Sequence, residues 1–410
     1  MTDHNPRLCA DIELFHEVAR AAGGWVSGLT ATGALWVDAA EVTGWVTPKG
    51  ARERRNWLNA IWGVSNQLTG TYGKPEFAMP VTKVRETTFG SLLHFDHDAS
   101  RHDPKVYIVA PTSGHFSTLL TGTVTQLLPD HDVYMTDCND VANIPLEEGD
   151  FGLDDYIQNV QDDLRWIGPD CHVLAICQST VPVLAALADM AKHDGRQPAL
   201  SLTLMAGPID VAAAETAVTK FADEHDMAWF KKNLIGKVTS GHAGAGRLVY
   251  PGNLQLGAFI AMDVAKHVKS FEDLFLALAS GDQVTADKIT KFYTEYQSVA
   301  SMTAKFYLET VAKVFKERAL ARGVMRRDNG DLIEPSYLTM PLLTVEGGKD
   351  DICAPGQTTA AHALCSGIPH HLKRHYLQPG VGHYGVFNGR LWQQEIAPRF
   401  AGFIRDAEVA

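Results

Sequence analysis

A cysteine stands where an apolar strand pattern runs directly into an apolar helix pattern, in His172-Val173-Leu174-Ala175-Ile176-Cys177-Gln178-Ser179-Thr180-Val181-Pro182-Val183-Leu184-Ala185-Ala186. A sharp strand-to-helix turn lifts the residue at the junction clear of the sheet and presents it to a substrate. Such a turn needs small residues two positions before and two after the nucleophile, and here these are Ala175 and Ser179. The N-terminus of the following helix favours a thiolate and, later, the oxyanion of a tetrahedral intermediate. The chemistry this permits is acyl transfer through a thioester. The backbone N–H of Gln178 is one expected oxyanion donor, and Thr112 or Ser113, after an earlier strand pattern, supplies the other. Ser179 is a second possible nucleophile, placed at the helix start rather than at the elbow. A cysteine that ends a strand is by itself more often a packing residue, so the assignment depends on its partners.

A nucleophilic thiol needs a base and a group that orients the base. Gly380-Val381-Gly382-His383-Tyr384-Gly385 places His383 in a glycine-bracketed loop after the strand pattern around His375–Leu377. Thr344-Val345-Glu346-Gly347-Gly348-Lys349-Asp350-Asp351-Ile352 places a carboxylate just past a strand and a glycine turn, with Asp350 the first choice and Asp351 the alternate. Separately, each has a bland reading, a loop histidine and a solvated turn aspartate. Together, each follows a strand, and the order of nucleophile, acid and base is that of α/β-hydrolases. A competing cluster, His94-Phe95-Asp96-His97-Asp98 with Arg101-His102-Asp103, has residue types that bind metals. It precedes the first clear core strand at Lys105 and reads as a polar loop, so no metal is expected. No glycine-rich phosphate loop follows a strand, and no cofactor is expected.

The elements that must position these residues alternate. Strand patterns at Val106–Val109, Val133–Met135, His172–Ile176, Leu202–Met205 and Leu342–Val345 are bounded by Gly, Pro or Asp, with helical patterns such as Tyr156–Ile167 and Val181–Met190 between them. This predicts an α/β protein of α/β-hydrolase fold, a mostly parallel sheet with helices on both faces and a helical cap insertion. The expected division is a helical N-terminal region over 1–79, a core over 80–207 and 336–410, and an aromatic-rich cap over 208–335. The lead-in carries helical spacing at Ile12-Phe15-Val18-Ala19 and at Trp57-Ile61-Leu68.

Bulk composition narrows the function classes. The chain has 410 residues, 45% hydrophobic and 20% charged, with a formal net charge of −12. Such a surface repels phosphate backbones, so nucleic acid is not an expected partner. No apolar run is long enough to span a bilayer, and no basic segment leads an apolar one at the start, so the expected location is cytoplasmic. The six cysteines are scattered without a C-x-x-C pair, consistent with reduced thiols.

From about Phe77 to the C-terminus the chain resembles the intracellular polyhydroxyalkanoate (polyhydroxybutyrate) depolymerases. The resemblance is carried by the run Leu377-Gln378-Pro379-Gly380-Val381-Gly382-His383-Tyr384-Gly385-Val386-Phe387-Asn388-Gly389, by Val345-Glu346-Gly347 through Asp350-Asp351-Ile352, and by Ala206-Gly207-Pro208-Ile209-Asp210. Cys177-Gln178 with Val181-Pro182-Val183-Leu184, Val249-Tyr250-Pro251-Gly252 and Phe292-Tyr293-Thr294-Glu295-Tyr296 are similar too. The family pattern differs at Ser179-Thr180, where it has Pro-Ser, at Cys138, where it has Trp, and at Asp140-Val141-Ala142, where it has Asp-Ala-Arg. The resemblance implies a nucleophilic role for Cys177, a polyester or oligomer substrate, and association with polymer granules. Alternatives on the same fold are a synthase-like acyltransferase, a general esterase or oligomer hydrolase, and a non-catalytic granule-surface protein.

Overall fold

The apolar runs become a single eight-stranded sheet in a computed structural model that describes residues 29, 34, 37, 38, 41, 47–69, 73–96, 98–262 and 264–409. The strands are β1 (Val81–Thr87), β2 (Gly90–Phe95), β3 (Lys105–Val109), β4 (Asp132–Cys138), β5 (Cys171–Ile176), β6 (Ser201–Met205), β7 (Leu342–Gly347) and β8 (Lys373–Gln378). Their spatial order is β1-β2-β4-β3-β5-β6-β7-β8. β2 pairs antiparallel with both β1 and β4, and every other pairing is parallel.

Side-chain alternation along the strands sends residues to two cores. Val173, Ala175, Leu202, Leu204 and Leu342 join one cluster, completed by the helices Leu153–Ile167 and Thr180–Asp194. Leu174, Ile176, Met205, Leu343 and Val345 join the other, completed by Val124 and by Phe400, Phe403 and Ile404 of the helix Ala397–Glu408. With both faces covered, β5 is buried at all six positions and reads as an unbroken apolar run. Each such side chain contributes about 1.5–3 kcal/mol of burial.

The hairpin β1–β2 lies within the expected core of 80–207 but upstream of Lys105, where the sequence shows its first clear core strand. β1 is an edge strand whose residues are exposed or half-buried along its length, so no buried face imposes alternation. The turn between the strands is Thr88-Phe89, which lacks the Asn-Gly or Asp-Gly signature of a tight hairpin. The competing metal cluster falls partly here. His94 at the end of β2 pairs with Asp132 (2.6 Å) and stacks on Tyr134, Asp98 caps the turn at Ser100, and Arg101 pairs with Asp103; His97 lies outside the described residues.

The described chain falls into two units, one holding residues 76–250 and 300–409 and the other holding 47–69 and 251–299. Of the segment 208–335, residues 208–250 and 300–335 belong to the sheet unit, the latter for clear reasons. Phe306, Val314, Leu320, Met325 and Ile333 enter its core, and Arg318 makes a two-pronged pair with Asp210 (2.9 and 3.0 Å). The segment also holds a small antiparallel sheet of Gly236–Lys237, Leu248–Tyr250 and Met302–Thr303, where the sequence suggested mostly helix. Its aromatic residues largely pack on one another, as in Tyr250 on Tyr307 (4.0 Å), Phe271 on Tyr293 (4.4 Å) and the Phe221–Trp229–Phe230 group. In the second unit, Trp57, Ile61 and Leu68 lie on the helix Pro48–Thr69, and Trp57 meets Phe275 edge-on. The Ile12–Ala19 pattern lies outside the described residues.

Gly207 shows how tightly the sheet meets the elbow. A Cβ there would sit 1.8 Å from Thr180 Oγ1, while Thr180 Oγ1 donates to the Cys177 carbonyl (2.9 Å) and Thr358 Oγ1 bridges the Gly207 N–H and carbonyl (2.8 and 3.0 Å). Gly207→Ala should therefore lower stability by about 1–3 kcal/mol, the usual cost of overpacking. Adding Thr180→Ala should recover part of that loss, because the two sites share one contact. Urea midpoints of the two single variants and the double variant check this, and simple additivity would contradict it.

Candidate active site

β5 ends at Ile176, and the next residue, Cys177, holds φ +59°, in the left-handed region that non-glycine residues rarely enter. That strain, on the order of 1–3 kcal/mol, is tolerated where the surroundings fix the turn. Ser179 does much of the fixing. It is fully buried, its Oγ accepts the Ile176 N–H (3.0 Å), and it lies 2.8 Å from the Val109 carbonyl and 2.9 Å from the Ile176 carbonyl. The hydroxyl weighed as a second nucleophile is thus a tie between the elbow and the end of β3.

The acid loop begins at β7. Lys349 and Gly348 donate backbone N–H groups to the carbonyls of Val381 (2.8 Å) and Gln378 (2.9 Å), so the turn carrying Asp350 is stitched to the segment carrying His383. Asp350 is buried and its Oδ1 accepts the N–H groups of Ile352 (3.0 Å) and Cys353 (2.8 Å). Its Oδ2 lies 2.8 Å from His383 Nδ1, and His383 Nε2 lies 3.0 Å from Cys177 Sγ. Asp351, the alternate acid, is exposed. The structure therefore brings Cys177, His383 and Asp350 into one hydrogen-bonded line.

The electrostatics follow from that line. Burial of His383 opposes its charge, but the adjacent Cys177 sulfur and the Asp350 carboxylate outweigh burial and hold the imidazole well above its ordinary value of 6.5. A neutral imidazole of raised basicity is suited to take a proton from the adjacent thiol, which would leave an imidazolium beside a thiolate.

Gln178 follows Cys177 within the turn Cys177–Ser179. Thr112 and Ser113 lie in the loop that leaves β3, whose last residue, Val109, is the one tied to Ser179. Thr112 Oγ1 is buried with no hydrogen-bond partner among the described residues.

Glu346 is a residue that the motif reading passed over. It is buried within β7, and its carboxylate accepts the N–H groups of Gly356 (2.9 Å), Thr358 (2.8 Å) and Thr359 (2.9 Å), bracing the loop behind Asp350. Its signal was a charge inside an otherwise apolar strand run.

Of the other described thiols, Cys138 is half-buried like Cys177 and three are buried. Cys171 and Cys365 are buried and pushed up to about 12 by burial, and burial raises Cys353 as well. Iodoacetamide should therefore alkylate the half-buried Cys177 before those three, with loss of activity. Labelling of Cys171, Cys353 or Cys365 ahead of Cys177 in a peptide map would count against this.

A sheet of this order with one antiparallel strand, an elbow after β5 and catalytic-type side chains after β7 and β8 defines an α/β-hydrolase. Residues 206–408 match the family model described as PHB de-polymerase C-terminus. None of the curated proteins matches the chain. Similar solved structures include a Bacillus megaterium epoxide hydrolase, with a TM-score of 0.48 and 13% identity over 78% of this chain and 99% of that one. A carboxylesterase of the thaumarchaeon Nitrososphaera gargenis gives 0.46 and 12% over 80% and 99%. A putative lipase of Acinetobacter baumannii gives 0.44 and 13% over 81% and 92%. No helix among the described residues is long and apolar enough to cross a membrane.

Proposed function

We propose that the protein hydrolyses the ester bonds of poly(3-hydroxybutyrate) and its oligomers through a cysteine acyl-enzyme. The observation that carries this is the line Cys177–His383–Asp350, at 3.0 and 2.8 Å, on a left-handed elbow in a chain whose residues 206–408 match the depolymerase family model. His383 Nε2 takes the proton of Cys177, and the thiolate attacks the ester carbonyl. The N–H of Gln178 and the 112–113 loop stabilise the oxyanion. Collapse of the intermediate breaks the C–O bond, and the leaving alkoxide takes the proton from His383. The acyl group is left as a thioester on Cys177. A water that gives its proton to His383 attacks that thioester, the thiolate leaves, and the free hydroxyacid or oligomer departs. Asp350 holds the imidazole tautomer throughout. No step calls for a metal or an organic cofactor.

The substrate side is tested by comparing turnover on amorphous polymer granules, on 3-hydroxybutyrate oligomers and on 3-hydroxybutyryl-CoA, each at low and high salt. Uncharged polyester binds by area burial, so turnover on granules should persist at high salt. Polymer growth from the CoA thioester without granule hydrolysis would replace this reading with a synthase. Granule binding without turnover on any ester would replace it with a non-catalytic surface protein. Turnover on short soluble esters alone would narrow it to an oligomer hydrolase or general esterase.

A further inference from the structure

One buried carboxylate lies outside the line of Cys177, His383 and Asp350, yet it grips the same loop as Asp350. Leu342, Thr344 and Glu346 alternate onto one face of β7, and Glu346 is 1% exposed. Among the described residues only His375 Nε2, at 3.8 Å, comes within ion-pair reach of it. Backbone groups surround it instead. Glu346 Oε1 accepts the N–H groups of Gly356 (3.0 Å), Thr358 (2.8 Å) and Thr359 (2.9 Å), and Oε2 shares the Gly356 N–H (2.9 Å). A carboxylate withdrawn from water needs charge-assisted bonds of this kind. Gly356 holds φ +102°, a backbone that L side chains rarely adopt, so the turn that meets the carboxylate depends on glycine.

The loop from Ile352 to Thr359 is thus held between two carboxylates four residues apart in the chain. Asp350 Oδ1 takes its near end through the N–H groups of Ile352 (3.0 Å) and Cys353 (2.8 Å), and Glu346 takes its far end. Two further attachments join the far end to the segment after β6. Thr358 Oγ1 bridges the Gly207 N–H and carbonyl, and Gln357 Nε2 donates to the Ala214 carbonyl (2.8 Å). Neither ties the loop to β7, the strand that delivers Asp350. Glu346 supplies that tie. The carboxylate of Asp350 can rotate, and the direction of Oδ2 toward His383 Nδ1 (2.8 Å) is set by what Oδ1 accepts.

We propose that Glu346 is a positioning residue for Asp350: by holding Gly356–Thr359 against β7, it keeps the Ile352 and Cys353 N–H groups on Asp350 Oδ1 and so keeps Oδ2 on His383. The effect on turnover rests on the ester-hydrolase reading above; the effect on the reactivity of Cys177 does not. Loss of the Glu346 carboxylate frees the far end of the loop, Asp350 loses its fixed orientation, and His383 becomes a weaker base toward Cys177. Less thiolate then forms at neutral pH, and the thiol ionises at higher pH.

The test uses Glu346→Ala, Glu346→Gln and Gly356→Ala, each checked for folding by circular dichroism and thermal melting. The amide oxygen of Glu346→Gln can replace Oε1, but its NH₂ then faces the Gly356 N–H that Oε2 accepts. Gly356→Ala keeps the carboxylate and strains the turn that meets it. One readout is kcat and KM on p-nitrophenyl butyrate. The other is the rate of iodoacetamide alkylation across pH, followed on the Cys177 peptide. Glu346→Ala should lower kcat by about 10²-fold, the scale of a misplaced reacting group, with KM little changed. The midpoint of its alkylation curve should move to higher pH. Glu346→Gln should lie between the alanine variant and wild type in both readouts, and Gly356→Ala should shift both in the same direction. A role confined to stability would lower the melting temperature and move neither. Folded variants with wild-type kcat and a wild-type alkylation curve would overturn the proposal. If Glu346→Ala does not fold, Glu346→Gln and Gly356→Ala decide it by the same readouts. A wild type inactive on every ester, with the alkylation curve still displaced in the variants, would overturn the ester-hydrolase reading and leave Glu346 in this role; with the curve unmoved, both fall.

Discussion

Cys177→Ala should abolish ester hydrolysis, lowering kcat by roughly four to six orders of magnitude, while the protein stays folded. The size of the effect follows from the mechanism. Without Sγ no thioester forms, and His383 Nε2, now 3.0 Å from where the sulfur was, has no proton to take. What remains is whatever the oxyanion donors can do for direct attack by water. The fold should survive because the substitution removes one half-buried atom and leaves in place the bonds that hold the elbow. Those bonds run through Ser179 Oγ and through Thr180 Oγ1 to the Cys177 carbonyl, none of them through the thiol. Thermal melts should differ little from wild type, in the range usual for a substitution that opens no cavity. Full turnover by the alanine variant would remove Cys177 from the mechanism.

Asp350→Asn should cost about 10⁴ in kcat, and Asp351→Asn less than about tenfold. The asymmetry comes from the hydrogen bonds of the carboxylate. Asp350 Oδ1 accepts two backbone N–H groups, from Ile352 and Cys353. An amide at this position must turn its oxygen to those donors and so present its NH₂ to His383 Nδ1. Nδ1 then becomes an acceptor, and the ring proton moves to Nε2, the nitrogen that has to take the Cys177 proton. The wrong tautomer is thus imposed by the loop itself. Asp351 is exposed and has no part in this line. Steady-state kinetics of the two variants check the ranking, and a larger loss in Asp351→Asn would reverse the assignment.

How much of this was legible in the sequence differs from part to part. The parallel strands were readable because burial on both faces leaves unbroken apolar runs, as in Val173–Ile176 and Leu342–Val345. The three residues of the hydrogen-bonded line were readable because each follows one of those runs at a turn, and strand ends are local features. The hairpin β1–β2 was not, since an edge strand has no fully buried face to mark it and the Thr88-Phe89 turn carries no glycine. The strand pairing of Leu248–Tyr250 with Met302–Thr303 joins short pieces more than 50 residues apart, as does the pairing of Arg318 with Asp210. Nothing local announces either. The cavity lined by Phe89, Thr112, Phe151 and Phe306 was the least legible feature, because these residues come from four separate stretches that only the assembled fold brings to one place. Glu346 was visible as a charge in an apolar run, but its task depends on three N–H groups that come from the loop ten or more residues later.

A thioester on Cys177 is the most direct mark of the proposed covalent step. Protein mixed with a 3-hydroxybutyrate ester, quenched in acid during turnover and digested, should yield one peptide heavier by a single 3-hydroxybutyryl group. Fragmentation should place that group on Cys177, and hydroxylamine should remove it, as a thioester requires. Turnover with no acylated peptide under conditions that trap a burst, or an acyl group on Ser179 or any other side chain, would contradict the assignment of Cys177 as nucleophile.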